Sequence, residues 1–264
     1  MLLCRGGGIG RRAGLRIQWA FARGGSSPLR GTDGFNLNNY LEDNFKNSYM
    51  FGRIMKIRWK DWIVTARPFK SEEEYASYFK YFSLHSVRKY FAASPYGVTA
   101  TQLKDDYRLA VNSREVVRWA IEDKEGQVIG FTNIFNIREA DRSAWISYMI
   151  WEKKYWGKGL GYALILSLNL YSFSLLNIFS LWAHVIDKNI ASWKSLEKAG
   201  YHRWGEHPPM YFVDNKWLGG YYYVLYNPSY TDGIFKKDIP DSLKDSLKKA
   251  EDALKEADRI VEFL

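Results

Sequence analysis

A glycine-rich hexad constrains this chain more than any other stretch. It occupies residues 156–161, reads WGKGLG, and lies between a strand-like run at 144–151 and a long apolar run that begins at Ala163. A strand that passes through such a loop into a helix presents several backbone N–H groups at the helix N-terminus, where the partial positive charge favours an anion. Glycine also lets a phosphate approach the backbone without a Cβ in the way. The hexad therefore predicts either a phosphate-binding loop or a tight entry into a buried helix.

Other phosphate motifs do not fit the hexad. Its spacing is GxGxG rather than the GxGxxG of dinucleotide-binding folds, and no Gly-Lys-Ser or Gly-Lys-Thr closes it as in a Walker A loop. Taken alone, the hexad leaves the anion site and the tight turn equally open.

The residues around the hexad predict an α+β fold. Alternating apolar and polar residues predict strands at 116–123 and 127–137, a third strand at 144–151, and a final hairpin that turns at Asp214-Asn215. A capping box at Ser71 and Glu74 predicts one helix, and further helices are predicted at 104–111, behind the hexad, and at 189–200. A strand at 178–187 lies between the last two helices, which favours a parallel pair around the central helix.

The first part of the chain has an unusual composition. Residues 1–31 are rich in Gly and Arg and contain no acidic residue, so they will not form a core. They fit a targeting peptide, a basic nucleic-acid arm, or translated DNA of a leucine-type transfer RNA gene upstream of a true start near Met50 or Met55. We assign 1–31 to a low-complexity basic segment, 32–61 to an N-terminal extension and 62–230 to the main domain.

The last part of the chain, 231–264, predicts an amphipathic helix. Its apolar residues are spaced alternately by four and three, with Lys, Asp and Glu between them. Since a lone apolar stripe must be buried, the helix docks on its own domain or forms a homodimer contact. The stripe consists of Leu243, Leu247, Ala250, Leu254, Ala257, Val261 and Leu264.

Composition excludes several classes of protein. The single cysteine, Cys4, rules out an internal disulfide and a thiolate metal cluster. No uninterrupted apolar run reaches the length of a membrane span. We therefore expect a soluble, cytoplasmic protein without a metal or a membrane partner. The formal charge of +9 suits an acidic ligand, but much of the unusual composition lies at the chain ends, which argues against nucleic-acid binding by the main domain.

A second motif follows one strand beyond the hexad. Asn189-Ile-Ala-Ser192 is followed by Leu-Glu-Lys-Ala-Gly-Tyr at 196–201. Together with the hexad and with ARPF at 66–69, it resembles the GNAT acyltransferases, and within them the RimJ/RimL-type ribosomal-protein N-terminal acetyltransferases. The family's pyrophosphate loop is commonly Arg/Gln-x-x-Gly-x-Gly/Ala, and here Trp156 takes the first position. The resemblance covers roughly residues 62–226 and implies a mixed, mostly antiparallel, twisted sheet flanked by helices.

The same resemblance implies that acetyl-CoA is the co-substrate. The end of the third strand would hold the pantetheine arm and polarise the thioester, the amides of the hexad would bind the pyrophosphate, and Asn189 would contact the pantetheine. The implied coenzyme-binding residues are Met149, Ile150, Trp151, Trp156, Gly157, Lys158, Gly159, Leu160, Gly161 and Asn189.

Attack of an amine on a thioester needs an acid and a base. Many GNAT enzymes have a tyrosine acid where this chain has Leu196, so the resemblance to the RimJ/RimL branch implies Ser192 as the acid; a cap of its own helix is the alternative. A related glutamate falls at about Tyr211, which leaves Glu206 and His207 as base candidates. His207 lies in HPPM, which also suits a surface loop.

These observations predict an N-acetyltransferase that acts on a primary amine, with a protein N-terminus favoured and polyamines or antibiotics as alternatives. A non-catalytic acyl-CoA-binding scaffold or sensor is the second class, because the base is not evident. His184, in the middle of a strand, is expected to be a core residue. Acceptor recognition is assigned to 71–111 and the final hairpin, whose aromatic residues are Tyr75, Tyr78, Phe79, Tyr81, Tyr211, Tyr221 and Tyr222.

Overall fold

The computed structural model describes residues 52–82, 84–90, 98–230 and 241–264 of the chain. Within them, nine strands form one sheet in the order β7-β8-β6-β5-β4-β3-β2-β1-β9. The strands are β1 (Met55–Trp59), β2 (Trp62–Arg67), β3 (Val116–Asp123), β4 (Val128–Arg138), β5 (Ser143–Ile150), β6 (Ser180–Ile186), β7 (His202–Val213), β8 (Lys216–Tyr226) and β9 (Val261–Phe263). The helices are α1 (Glu72–Ser77), α2 (Phe79–Phe82), α3 (His85–Arg88), α4 (Ala100–Val111), α5 (Leu160–Ser174), α6 (Ile190–Lys198) and α7 (Asp241–Ile260).

The predicted fold class is confirmed, including the parallel pair. Neighbouring strands are antiparallel except for β5 and β6, which pair in parallel only where residues 143–145 face 180–182. Both strands continue past this point, β5 to Ile150 and β6 to Ile186, but they no longer pair with each other. They therefore diverge and leave a gap in the sheet between 146–150 and 183–186. We call this gap the splay.

One face of the sheet carries α5 and α7. Thirteen of the fifteen residues of α5 are buried, so this helix lies in the interior and has no solvent face. The apolar stripe of α7 packs against α5 and the sheet, with Leu243, Ala250 and Ala257 buried. The buried face also includes Ser246 and Ala253, whereas Leu247 and Leu254 are only half-buried. The structure thus shows the docking of this helix on its own domain.

The opposite face of the sheet carries α1 to α4. A second apolar core forms between these helices and the strands, with Phe69, Tyr75, Phe82 and Phe131 among its members. Ser71 Oγ accepts the N–H of Glu74 as predicted, at 3.2 Å. α4 begins at Ala100, four residues earlier than predicted, because Thr99 forms a capping box.

Three sequence-based boundaries need correction. The sheet begins at Met55, within the predicted extension 32–61, because β1 pairs with β2 on one side and β9 on the other. The tail is not helical to its end, since Val261–Phe263 forms β9 and Leu264 is exposed. The final hairpin is longer than predicted, because β7 starts at His202. The predictions for residues 1–31 and for a start near Met50 lie outside the described residues.

The helices offer no candidate for a membrane span. In the part of the chain that the structure describes, none combines the length with the apolar character that crossing a bilayer requires.

Candidate active site

The glycine-rich hexad forms the entry into α5. Gly159 is the N-cap of α5 with a φ of 86°, and Gly157 has a φ of 71°. Side chains strain such backbone angles, so both positions favour glycine. The first N–H groups of a helix have no partner inside it. The loop therefore supplies the helix-terminal amide donors that an anion needs.

Two aromatic side chains shape the hexad, and sequence reasoning missed both. Trp59 of β1 donates its Nε1–H to the carbonyl of Lys158 at 3.2 Å, and a Cβ at Gly159 would lie 2.7 Å from that nitrogen. A Cβ at Gly161 would lie 3.0 Å from the ring of Tyr148 in β5. A side chain at either glycine would thus collide with the protein itself, apart from any effect on a bound phosphate. No motif spacing signals Trp59 or Tyr148, because each comes from a strand.

Trp156 ties the loop to the end of β5. Its Nε1–H donates to the carbonyl of Ile150 at 2.9 Å, and the ring remains 38% exposed. The N–H of Trp151 donates to the carbonyl of Ile129 in β4 at 3.0 Å. Two backbone groups expected at the pantetheine therefore have partners within the chain. The side chains of Met149 and Trp151 are buried in the core beneath α1 to α4.

Ser192 lies at the splay with a tyrosine partner. It occupies the first turn of α6, and its N–H donates to the carbonyl of Asn189 at 3.1 Å. Tyr148 Oη lies 3.3 Å from Ser192 Oγ and donates to it. Burial raises the pKa of Tyr148, so its hydroxyl stays protonated at neutral pH. Asn189 is the N-cap of α6, but its side chain makes no capping hydrogen bond.

Two lysine side chains lie near the N-terminal end of α5. Lys158 Nζ lies 5.1 Å from the ring centre of Trp62, and Lys198 Nζ lies 3.9 Å from that of Tyr162. Tyr162 is in the first turn of α5 and donates its hydroxyl to Glu256 of α7 at 2.8 Å. Two lysines and the start of α5 thus converge here, which favours a polyanion.

Rings cover the other face of the sheet beside the splay. Leu181, Ala183 and Val185 of β6 point into the core that contains α5, so the side chains of Trp182 and His184 point to the opposite face. Ring contacts join these two residues to β5, β7 and β8. We call this set the aromatic surface; it consists of Trp145, Trp182, His184, Trp204, His207, Tyr211 and Tyr222.

The structure separates the two base candidates. His207 lies in β7 rather than in a loop, and the centre of its ring lies 4.7 Å from that of His184, with the two ring planes 27° apart. Glu206 is the preceding residue of the strand, and its side chain is exposed. Its Oε1 lies 3.5 Å from Nη1 of Arg203, which also contacts Glu197 of α6. It therefore points to the face that carries α6. His184 contacts other polar rings and is not enclosed by core residues, which corrects the prediction of a core position.

Burial and the neighbouring His207 determine the protonation state of His184. Desolvation lowers the pKa of His184 to about 4, and repulsion by charge on His207 contributes in the same direction. The ring is therefore neutral across the physiological range.

Comparison with known proteins agrees with this arrangement. The family model described as an acetyltransferase (GNAT) domain matches residues 64–202, more than half of the chain. A spermidine N(1)-acetyltransferase from Vibrio cholerae is 24% identical over 132 residues, which span 50% of this chain and 75% of that protein.

Solved structures share the fold. The spermidine N-acetyltransferase of Vibrio cholerae in complex with CoA and spermine superposes with a TM-score of 0.57 and 21% identity, over 62% of this chain and 95% of that one. RimJ of Mycobacterium smegmatis in complex with CoA-disulfide gives a TM-score of 0.59 and 17% identity, over 80% and 97%. At these sequence identities, the structural similarity shows a shared fold only.

Proposed function

Because the chain belongs to the GNAT acetyltransferase family, we propose that it transfers the acetyl group of acetyl-CoA to a primary amine, and that this amine is a protein N-terminus. The observation that carries the proposal is the splay, which opens between the amides of α5 on one face of the sheet and the aromatic surface on the other. A donor and an acceptor can meet there from opposite sides.

The residues at the start of α5 fit a coenzyme A pyrophosphate. Amides of 157–161 bind the phosphate oxygens, and Lys158 and Lys198 add positive charge. The splay then takes the pantetheine arm between Met149–Ile150 and the free side chain of Asn189. The side chain of Trp151 packs in the core beneath the end of β5 and does not contact the coenzyme in this arrangement.

Ser192 suits the role of the acid. Because Tyr148 donates to its oxygen, the hydroxyl hydrogen of Ser192 is free to point at the thioester sulfur, and donation into the oxygen polarises the O–H bond. As the C–S bond breaks, this hydrogen stabilises the charge that develops on sulfur. Tyr148 is then a positioning residue for Ser192.

The base comes from the aromatic surface. His207 belongs to that surface, whereas Glu206 faces the other side of the sheet with Arg203. Positioning of two substrates supplies the larger part of the rate, and proton transfer adds about 100-fold or more.

The chemistry of the aromatic surface favours an N-terminal amine over a polyamine. A polyamine carries several charges, and each needs a carboxylate or water when it is desolvated. The rings of this surface have other rings as neighbours, and Glu206, the carboxylate that precedes His207, contacts Arg203 on the other side of the sheet. A protein N-terminus has one charged nitrogen followed by a side chain and peptide planes, which pack well on rings.

A panel of acceptors tests this choice. Release of free CoA thiol is measured with N-terminal peptides of varied first residues, with spermidine and with an aminoglycoside. We expect kcat/KM for the preferred peptide to exceed that for spermidine by at least about tenfold. Preference for spermidine would instead support the polyamine class that the Vibrio cholerae relative represents.

The second candidate is an acyl-CoA-binding protein without turnover. Calorimetry with acetyl-CoA separates it from an enzyme, because both bind the coenzyme but only the enzyme releases thiol in the presence of an amine. Binding without turnover across the whole panel contradicts the proposed function.

A further inference from the structure

Two histidines of the aromatic surface form a hydrogen-bonded pair. His184 Nε2 and His207 Nε2 lie 2.5 Å apart, although 23 residues separate them in the chain. His207 Nδ1 lies 2.9 Å from the carbonyl oxygen of Pro208. Each ring therefore has a defined partner on at least one nitrogen.

These contacts determine where the protons are. A carbonyl oxygen only accepts, so His207 carries its proton on Nδ1 and, when neutral, presents a lone pair at Nε2. His184 must then donate from Nε2 into that lone pair. A neutral His184 with a proton on Nε2 has its own lone pair on Nδ1. Among the described residues, no hydrogen bond is made to His184 Nδ1. The pair thus holds one available lone pair, and it belongs to His184.

The position of His184 suits the reacting centre. It lies two residues beyond Trp182, the last residue of β6 that pairs with β5, and so at the edge of the splay. Its ring is on the face opposite α5 and Ser192. Ser192 and His184 therefore lie on opposite faces of the sheet at the edge of the splay.

Gly220 of β8 leaves the space that the pair occupies. A Cβ there would lie 2.6 Å from His207 Nε2 and 2.8 Å from His184 Nε2. Tyr211 and Tyr222 surround the pair, with ring centres 5.4 and 5.2 Å from that of His184. Backbone and rings together hold the two imidazoles in this arrangement.

We propose that His184 Nδ1 takes the proton from the attacking amine, and that His207 is the positioning residue that fixes its tautomer. The proposal rests on the proposed function. The amine nitrogen forms a bond to the carbonyl carbon and becomes positively charged. Its proton passes to His184 Nδ1, and the C–S electron pair leaves with sulfur, which takes a proton from Ser192. Solvent then removes the proton from His184 and returns one to Ser192.

The surroundings of His184 support this step. Among the residues that the structure describes, the titratable groups that face it are His207 and Tyr211 from β7 and Tyr222 from β8. None of them is a carboxylate, and desolvation lowers the pKa of His184 to about 4, so the ring is unprotonated at neutral pH but is a weaker base than a free imidazole. Once protonated, His184 still donates from Nε2 into His207, which stabilises the cation formed in the step.

Nitrogen-15 NMR of the histidine rings tests the tautomers without any turnover. We expect His184 as the Nε2–H tautomer and His207 as the Nδ1–H tautomer in the full-length protein at pH 7. In the His207→Phe variant, His184 should lose its preference for the Nε2–H tautomer, because the lone pair of His207 that accepts this proton is gone. A proton on His184 Nδ1 in the wild type overturns the proposal.

Kinetics test the role. In His184→Gln, kcat should fall about 100-fold while the Kd for acetyl-CoA stays within about twofold. Added imidazole should restore part of the kcat of His184→Ala. Gly220→Ala, which keeps both rings but displaces them, should also lower kcat. Lys255→Gln is the control, because Lys255 is exposed on α7 and its contact is to Asp252.

The outcomes separate the two proposals. A wild type that acetylates no amine contradicts both the proposed function and the role of His184. An active wild type with an equally active, folded His184→Gln variant contradicts the role of His184 alone. An imidazole-dependent gain in His184→Ala, absent from the wild type, supports it.

Discussion

The two sides of the splay are built differently. On the side of α5, main-chain amides of a short contiguous loop form the proposed coenzyme site, and Gly157 and Gly159 permit the backbone angles of this loop. On the opposite side, rings from β5, β6, β7 and β8 contact one another. His184 and His207 form a hydrogen bond only because the sheet places β8 between their strands. A site made of backbone leaves a local glycine pattern in the sequence. A site made of distant side chains leaves none.

The largest expected effect comes from a charge in the loop. Gly159→Glu introduces a carboxylate at the phosphate amides, and it forces a Cβ to within 2.7 Å of Trp59 Nε1 at a φ of 86°. We expect the Kd for acetyl-CoA to rise at least about 100-fold, which is about 2.7 kcal/mol. Calorimetry measures it. Unchanged affinity in a folded variant would falsify the assignment of the loop.

A matched glycine controls for the backbone effect. Gly126 also has a positive φ, of 80°, but no atom lies within 4 Å of its Cβ position. Gly126→Ala should cost roughly 1 kcal/mol of stability and leave the Kd for acetyl-CoA unchanged.

The next effect tests the link between Tyr148 and Ser192. Ser192→Ala should lower kcat about 30-fold and Tyr148→Phe about tenfold, with little change in acetyl-CoA affinity. If Tyr148 acts through Ser192, the double variant is no slower than Ser192→Ala. Both losses should shrink with an acetyl thioester of a more acidic thiol, which leaves without an acid. Additive losses that do not depend on the leaving group would mean that Tyr148 acts only in packing.

The sequence predicted the structure on the α5 side of the splay better than that of the aromatic surface. The hexad, the parallel pair and the helix at Ser192 are local features, and the structure has all three. His184 was expected in the core because strand alternation cannot tell which face of a sheet stays uncovered. His207 was expected in a loop because two prolines follow it, but β7 continues through them with a register shift between His207 and Tyr211. Pairing across β8 decided both positions.

Acid stability tests the environment of the pair. Folded His184 binds a proton only near pH 4, whereas in the unfolded chain it does so near 6.5. Between these values the unfolded state carries the extra proton, so stability rises as pH increases across this window and is fully present above it. Since the ring is only half-buried, we expect this group to change the free energy of unfolding by roughly 2 kcal/mol across the window. Denaturant unfolding of wild type and His184→Gln between pH 4.5 and about 7 measures the difference.

A control for that measurement is available in the same fold. Trp217→Phe, at an exposed ring that does not titrate, should keep the pH dependence of the wild type. Equal pH dependence in the wild type and in His184→Gln would show that folding does not disfavour the protonated His184.

The smallest effect concerns Trp59, the residue of β1 that supports the loop from outside the motif. Trp59→Phe keeps a ring against Gly159 but removes the Nε1–H that donates to Lys158 at 3.2 Å. One hydrogen bond of this kind is worth about 1 kcal/mol, so the Kd for acetyl-CoA should rise about fivefold while kcat at saturation stays the same. Trp217→Phe, at a ring that is 64% exposed, is the control. If Trp59→Phe lowered kcat and left the Kd unchanged, the loop would belong to the catalytic step as well as to binding, and the division between the two sides of the splay would fail.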